Sequence, residues 1–218
     1  MKNKHLSLRV RIVILSALAL SFAVLTFLVK IGVTAEFESG VYTALARYID
    51  PALTNVMIII TNAGSAAAVV AVIAIFLVLP LTRASFGVPV ALTAILSSVS
   101  NRILKIFIAR ERPDTLRLVA ETGYGFPSGH AMNNAALYAI VIFIVFSQTK
   151  SKKIRIPVLI FGIAATFSIG VSRIYLGVHS AGDVLAGWIM GTAAALFIHT
   201  AYIKFLQKSK RGDYFYGR

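Results

Sequence analysis

The chain has 218 residues, of which 58% are hydrophobic and only 14% are charged. About a quarter of the residues of a soluble domain are charged, so this composition excludes a water-soluble globular protein. The net charge of +14 does not indicate nucleic-acid binding, because long apolar runs interrupt the basic residues and no continuous basic stripe forms. The chain contains no cysteine, which excludes disulfide bonds and thiolate chemistry.

The first apolar run covers residues 12–29 and follows four basic residues, Lys2, Lys4, Arg9 and Arg11. A signal peptide is one interpretation, since residues 33–35 would form a passable cleavage site. The run has 18 uncharged residues, whereas the apolar region of a signal peptide has about 7 to 15. We therefore favour an uncleaved membrane span.

Further apolar runs predict five more spans, over residues 65–81, 86–108, 129–146, 156–171 and 181–205. Residues 36–62 mix charged and apolar side chains, which indicates an interfacial segment leading into the second span. The polar stretch 110–128 is predicted to be a loop. Six spans of about 20 residues use most of the chain, so we predict an all-α membrane bundle of six helices that forms a single domain, residues 1–218.

Two glycines in the sixth span, Gly187 and Gly191, form a GxxxG element, which favours close helix packing. With six spans, both termini and the 2/3 and 4/5 loops share one side of the membrane. That side holds 14 of the 22 basic residues: Lys2, Lys4, Arg9, Arg11, Arg83, Lys150, Lys152, Lys153, Arg155, Lys204, Lys208, Lys210, Arg211 and Arg218. The positive-inside rule makes this side cytoplasmic. The sequence thus predicts a plasma-membrane protein whose 3/4 and 5/6 loops face outward.

Three basic residues, Lys105, Arg112 and Arg173, lie near the outward ends of predicted spans. Charged groups in such positions are costly to desolvate unless they are paired or hold a ligand. With no matching set of carboxylates adjacent to them in the sequence, they indicate a bound anion, and the forked donors of arginine match phosphate oxygens. We interpret three other basic residues as interface anchors: Arg102, Arg110 and Arg117.

The fourth span opens with Ser128, Gly129 and His130, preceded by Pro127. Serine is a good N-cap residue, and glycine permits a close approach of the backbone. The unpaired N–H groups of a helix N-terminus bind phosphate readily. This segment therefore predicts a second part of an anion site, although a serine in this position is often only a cap.

His179 and Asp183 are four residues apart at the start of the sixth span, which predicts that they lie on one helix face. The carboxylate would fix the imidazole tautomer and leave the other ring nitrogen as a nucleophile. A buried, satisfied pair without catalytic function is an open alternative. A third alternative is that His130, His179 and Asp183 are metal ligands, which the neighbouring cations disfavour. His5 and His199 are assigned no function.

These residues form three motifs in order: Lys105, Arg112 and Pro113; Pro127 to His130; and Ser172, Arg173, His179 and Asp183. The pattern resembles the three-part signature of the type 2 phosphatidic acid phosphatase family, which includes glucose-6-phosphatase and the vanadium haloperoxidases. All three parts match in order and spacing over residues 105–183.

The resemblance implies that His179 attacks phosphorus and forms a phosphohistidine, and that Asp183 orients it. It implies that His130 protonates the leaving group and then activates the hydrolytic water. By the same resemblance, five residues would bind the phosphoryl oxygens: Lys105, Arg112, Ser128, Gly129 and Arg173. It implies no metal and no cofactor.

This hydrophobic chain is similar to the bacterial membrane enzymes of that family, which act on undecaprenyl pyrophosphate, phosphatidylglycerophosphate or phosphatidic acid. We expect a phosphorylated lipid as the substrate and the bilayer as the surroundings, with the oligomeric state left open. The alternative is a protein that binds or transports lipid head groups without hydrolysing them, since such a protein also needs the cations.

Overall fold

A computed structural model of the chain describes residues 6–215, with side chains as far as Phe205. Some residues assigned above by topology or left without a function lie outside the described residues, or have side chains outside them: Lys2, Lys4, His5, Lys208, Lys210, Arg211 and Arg218.

The described part of the chain is built from helices and has no strand. The helices are α1 (Leu8–Lys30), α2 (Ala35–Ala46), α3 (Pro51–Ala63), α4 (Ala66–Val78), α5 (Pro80–Thr82), α6 (Val88–Ile108), α7 (Gly129–Gln148), α8 (Lys152–Tyr175) and α9 (Ala181–Phe215), with a π-helical turn, Arg83–Gly87, between α5 and α6. Side-chain caps set several starts: Ser7 caps α1, Asp50 caps α3, Ser65 caps α4 and Ser128 caps α7.

Five stretches of this part are long and apolar enough to cross a membrane, and there are six if α3 and α4, which are bent by 44° relative to each other, count as one broken span. The prediction of an all-helical membrane bundle is confirmed. Helix α3 lies in the stretch predicted to be an interfacial segment leading into the second span, and it meets the criteria for a span only together with α4. The bend lies at Gly64, where a Cβ atom would come within 2.6 Å of Ile169 Cγ2.

The interior of the bundle is formed by α7 and α9. About half of the most apolar stretch of each is buried, 50% and 56%, against 6% in α1 and 17% in α8. Gly187 and Gly191 line their contact, since a Cβ atom on Gly191 would lie 2.2 Å from the main-chain oxygen of Met132. The close packing predicted from the GxxxG element is confirmed.

Helices α1 and α2 cover this interior on the side of α9. Phe22, Leu25 and Val29 of α1 pack with Ala186 of α9 and with Phe126. Val41, Tyr42 and Leu45 of α2 pack on a cluster formed by α7, α8 and α9. Large apolar side chains remain exposed on the outside of the bundle, among them Phe107 (82%) and Phe161 (66%), as expected for contact with lipid tails.

One end of the bundle gathers the C-terminal ends of α6 and α8 and the N-terminal ends of α7 and α9. The 109–128 loop covers this end, and α2 reaches it through a hydrogen bond from the Tyr42 hydroxyl to the main-chain oxygen of Leu116, 3.3 Å. The three signature motifs therefore meet at one end of the molecule.

Candidate active site

The nucleophile candidate is His179, in the short connection between α8 and α9. Its Nδ1 lies 3.3 Å from Oδ2 of Asp183, and its side chain is only 3% exposed. Because a carboxylate only accepts hydrogen bonds, Nδ1–H donates and Nε2 keeps its lone pair. Nε2 lies 3.4 Å from Nη1 of Arg112, so this lone pair faces the cations.

The pairing of His179 with Asp183 is confirmed, but the prediction that both lie on one helix face is wrong. The helix α9 begins at Ala181, after His179. Ser180 is its cap: the Ser180 hydroxyl accepts from the Asp183 N–H at 3.3 Å, and the Asp183 carboxylate accepts from the Ser180 N–H at 2.9 Å. This reciprocal arrangement resembles a capping box, and it holds the Asp183 carboxylate beside His179.

Arg112 is held in place by main-chain oxygens of the surrounding loops. It donates to the carbonyls of Gly123, Thr122 and Val178 at 3.0, 2.9 and 2.8 Å. Lys105, at the end of α6, donates to the carbonyl of Tyr124 and, at 3.4 Å, to that of Gly125. Both cations are therefore anchored by main-chain carbonyl groups.

Arg173 is the most buried of the three predicted cations, at 2% exposure. Its Nη1 donates to the Thr61 hydroxyl of α3 at 2.9 Å, and its Nη2 donates to the carboxylate of Glu121. The second oxygen of Glu121 accepts from Arg112 at 3.4 Å. A carboxylate thus bridges the two arginines predicted to hold an anion.

Glu121 was missed in the sequence analysis, where the cations seemed to lack matching carboxylates. It lies 52 residues from Arg173 in the chain, so local spacing gave no signal. Burial raises the pKa of Glu121, but the charges of Arg173 and Arg112 outweigh this effect and lower it below its ordinary value. The bridging group is therefore a carboxylate at neutral pH.

Motif two contributes the start of α7. The Ser128 hydroxyl accepts from the Ala131 N–H at 3.5 Å, which confirms Ser128 as an N-cap. The Ser128 N–H donates to the main-chain oxygen of Asp183 at 2.9 Å and so joins motif two to motif three. Gly129 has Asn101 directly beside it, since a Cβ atom would lie 3.2 Å from Asn101 Oδ1.

His130, the second residue of α7, is half-buried. It is close enough to Arg173, Glu121, His179 and Arg112 for all four to interact electrostatically with its imidazole. The structure thus brings the predicted residues of all three motifs to one place.

The interpretation of Arg110 as an interface anchor is wrong. Its guanidinium donates to Oδ1 of Asp183 at 2.7 Å and forms a second ion pair with Glu38 at 2.6 Å. These partners lie more than 70 residues away in the chain, which is why the sequence pattern did not indicate them. His199, which was assigned no function, lies far along α9 and contacts Arg11 at 3.0 Å.

Burial lowers the pKa of His179 to about 4, although the hydrogen bond to Asp183 acts in the opposite direction. The imidazole is therefore neutral at physiological pH, as a nucleophile must be. Among the residues described, no group of three or more His, Cys, Asp or Glu side chains could hold a metal ion.

Comparison with known families identifies the fold. The model of the PAP2 superfamily matches residues 84–206, more than half of the chain. The chain belongs to the PAP2 superfamily. This membership confirms the resemblance seen in the three motifs.

Two similar proteins of the superfamily carry enzyme names. Phosphatidylglycerophosphatase B of Bacillus subtilis is 41% identical over 93 residues, which cover 42% of this chain but only 45% of that protein. Undecaprenyl-diphosphatase of Sulfolobus acidocaldarius is 27% identical over 187 residues, which cover 80% of this chain and 84% of that protein.

A solved structure extends the similarity to most of this chain. The crystal structure of a transmembrane PAP2-type phosphatidylglycerolphosphate phosphatase from Bacillus subtilis superposes with a TM-score of 0.79 at 29% identity. It covers 87% of this chain and 96% of the other. The chain is accordingly a multi-pass membrane protein with the fold of that enzyme.

The titration of His179 tests the geometry of the site without any activity assay. We expect the imidazole to stay neutral as the pH falls through 6.5 and to protonate at about pH 4, because burial opposes its charge. The measurement is a ¹⁵N NMR titration of histidine-labelled protein in detergent, with His179→Gln identifying the resonance.

Asp183→Asn is the control for this titration. It removes the anion that favours the imidazolium, so the pKa should fall further. A His179 pKa near 6.5 in the wild-type protein would contradict the buried position of the ring.

Proposed function

We propose that this protein is an integral membrane lipid phosphatase, acting as a single domain over residues 1–218. It hydrolyses a phosphomonoester or pyrophosphate of a lipid through a phosphohistidine on His179, without a metal or cofactor. One observation carries the proposal: the Nε2 lone pair of His179, fixed by Asp183, faces Arg112. Family membership and the enzyme names of two relatives agree with it.

In the first step, Nε2 of His179 attacks the phosphorus atom and the bond to the leaving oxygen breaks. Charge develops on the phosphoryl oxygens, where Lys105, Arg112 and Arg173 stabilise it together with the Ser128 hydroxyl and the Gly129 N–H. The arginine and lysine side chains are already anchored by carbonyl oxygens or by Thr61. They therefore need little reorganisation in the transition state.

His130 completes the reaction as the general acid and base. It donates a proton to the leaving oxygen in the first step, and then accepts a proton from the water that hydrolyses the phosphohistidine. Arg173 and His179 both interact electrostatically with its imidazole, so His130 lies close to the nucleophile and to one of the phosphate-binding arginines, as this assignment requires. The Nδ1–H bond to Asp183 stabilises the charge that the imidazole of His179 gains as it attacks.

The carboxylate of Glu121 lies between Arg173 and Arg112, at the place that we assign to a phosphoryl group. A phosphate that binds there must displace it. Glu121 thus pairs two buried cations and competes with the substrate for them.

The substrate is a phosphorylated lipid, and undecaprenyl pyrophosphate, phosphatidylglycerophosphate and phosphatidic acid are the three candidates. We propose that the site faces outward in the plasma membrane and that both termini are cytoplasmic. The distribution of basic residues supports this orientation. An outward site favours a lipid whose head group is exposed on the outer leaflet.

Replacement of His179 tests the reaction itself. Detergent-purified protein with chelator present should release phosphate from at least one of the three lipids. His179→Ala should lower the rate by at least about a thousandfold, because the phosphoenzyme cannot form. Phosphate binding, measured by calorimetry, should persist because the cations remain.

His199→Asn is the matched control, since His199 lies far from the site, and it should retain activity. Full phosphate release by His179→Ala would disprove the phosphohistidine route. Phosphate binding without release from any lipid by folded wild-type protein would favour the non-hydrolytic head-group protein. Loss of activity in chelator would indicate a metal enzyme.

Replacement of Glu121 tests the competition with phosphate. Glu121→Gln keeps the shape of the side chain but removes its charge, so inorganic phosphate should bind about tenfold more tightly, as a charged hydrogen bond is exchanged for a neutral one. The measurement is the inhibition constant for phosphate. Glu111→Gln, an exposed residue of the same loop, should change nothing. Weaker phosphate binding in Glu121→Gln would refute the competition.

Single cysteines test the orientation, since the chain has none of its own. Thr122 and Ser151 are both exposed, at opposite ends of the bundle. An impermeant thiol reagent added to intact cells should label Thr122→Cys and spare Ser151→Cys, with both labelled in permeabilised cells. The reverse pattern in intact cells would invert the orientation.

A further inference from the structure

A buried carboxylate outside the three motifs belongs to the same end of the bundle. Glu38 of α2 is only 7% exposed. It accepts from both terminal nitrogens of Arg110, at 3.2 and 2.6 Å, and from the Ser180 hydroxyl at 3.1 Å. The Gly182 N–H donates to it at 3.2 Å. All these partners lie in the 109–128 loop or at the start of α9.

Arg110 connects this carboxylate to the nucleophile. Its Nη1 also donates to Oδ1 of Asp183 at 2.7 Å, while Oδ2 of Asp183 faces Nδ1 of His179 at 3.3 Å. The guanidinium therefore lies between two carboxylates, and the order of contacts is Glu38, Arg110, Asp183, His179. Asp183 has no solvent exposure, so its outer oxygen depends on Arg110 for a charged partner.

The start of α9 is shaped to receive Glu38. A Cβ atom on Gly182 would lie 2.1 Å from Oε1 of Glu38, and 3.1 Å from Cγ2 of Val29. Any larger side chain at residue 182, directly before Asp183, would therefore displace Glu38 from the site. This observation concerns space rather than charge, and it is independent of the hydrogen bonds.

We propose that Glu38 and Arg110 are positioning residues, which hold the Asp183 carboxylate and through it the ring of His179, and that α2 is thereby an integral part of the active site. The inference rests on the proposed phosphatase function. Neither residue is bonded to Lys105, Arg112 or Arg173, so they act on the rate of the chemical step rather than on phosphate binding. Glu38 keeps the Arg110 fork directed at Asp183, because two parallel hydrogen bonds fix its plane.

Replacement of Glu38 tests the proposal by its kinetics. Glu38→Gln should lower kcat by roughly 10- to 100-fold, as expected for a misplaced catalytic group, and leave KM and the inhibition constant for phosphate unchanged. Glu38→Asp should recover part of the loss. Glu36→Gln is the matched control, an exposed carboxylate on the same helix, and it should behave as wild type. Unchanged kcat in a folded Glu38→Gln variant would overturn the proposal.

Gly182→Ala tests the same arrangement without removing a charge. The added methyl group displaces Glu38, so kcat should fall as in Glu38→Gln, and the double variant should lose no more than either single one. An additive loss would show that the two substitutions act separately and would contradict the linked arrangement.

The titration of His179 distinguishes positioning from a general effect on folding. Arg112, Arg173, His130, Asp183 and Glu121 face this end of the site, and none of them changes in these variants. Arg110→Gln removes the cation that offsets Asp183, so the His179 pKa should rise by about one unit. Glu38→Gln leaves Arg110 less compensated, so the pKa should fall.

Shifts in these opposite directions support the proposed positioning of His179 through Asp183. An unchanged His179 pKa in both variants would overturn it. Arg110→Lys should not restore kcat, because a single ammonium cannot bridge two carboxylates as a fork does. The NMR readout needs no turnover. If the wild-type protein releases no phosphate, the proposed function fails, while the titration still decides whether Glu38 and Arg110 act on His179.

Discussion

The burial of one carboxylate, Asp183, is the constraint on which the site depends. A carboxylate without solvent contact must be satisfied by donors. Asp183 has three of them: Arg110 at 2.7 Å, the Ser180 N–H at 2.9 Å and His179 at 3.3 Å. Its main-chain oxygen also accepts from Ser128. These donors come from the 109–128 loop, from the connection before α9 and from the start of α7, so contacts to one residue hold these three parts of the site together.

A second feature of the site is that carboxylates of the protein itself compensate its arginines. Arg112 and Arg173 share Glu121, and Arg110 shares Glu38 and Asp183. Buried cations with no partner would be too costly in a bundle of apolar helices. The two glutamates differ in consequence, because Glu121 bridges the cations that face the His179 lone pair, whereas Glu38 lies behind Asp183. Under the proposed function, phosphate displaces Glu121 and leaves Glu38 in place.

Much of the fold could be predicted because apolar runs of sufficient length can only be membrane spans or buried helices. The prediction failed where the run was interrupted. Residues 36–62 contain charged side chains, so the pattern predicted only an interfacial segment there, whereas Pro51–Ala63 forms an apolar helix that meets α4 at a bend. The sequence pattern could not show that Glu38 is buried with a partner and is therefore not an exposed charge.

The membrane class of the chain and its three motifs could be predicted from the sequence, because hydrophobicity and residue spacing are local properties. The pairing of the charges could not, because it depends on tertiary contacts. Arg110, interpreted as an anchor, joins Glu38 and Asp183, and Glu121 bridges two arginines, one of them 52 residues away. These pairs form because helix packing buries residues from distant parts of the chain together, and burial forces each charge to find a partner.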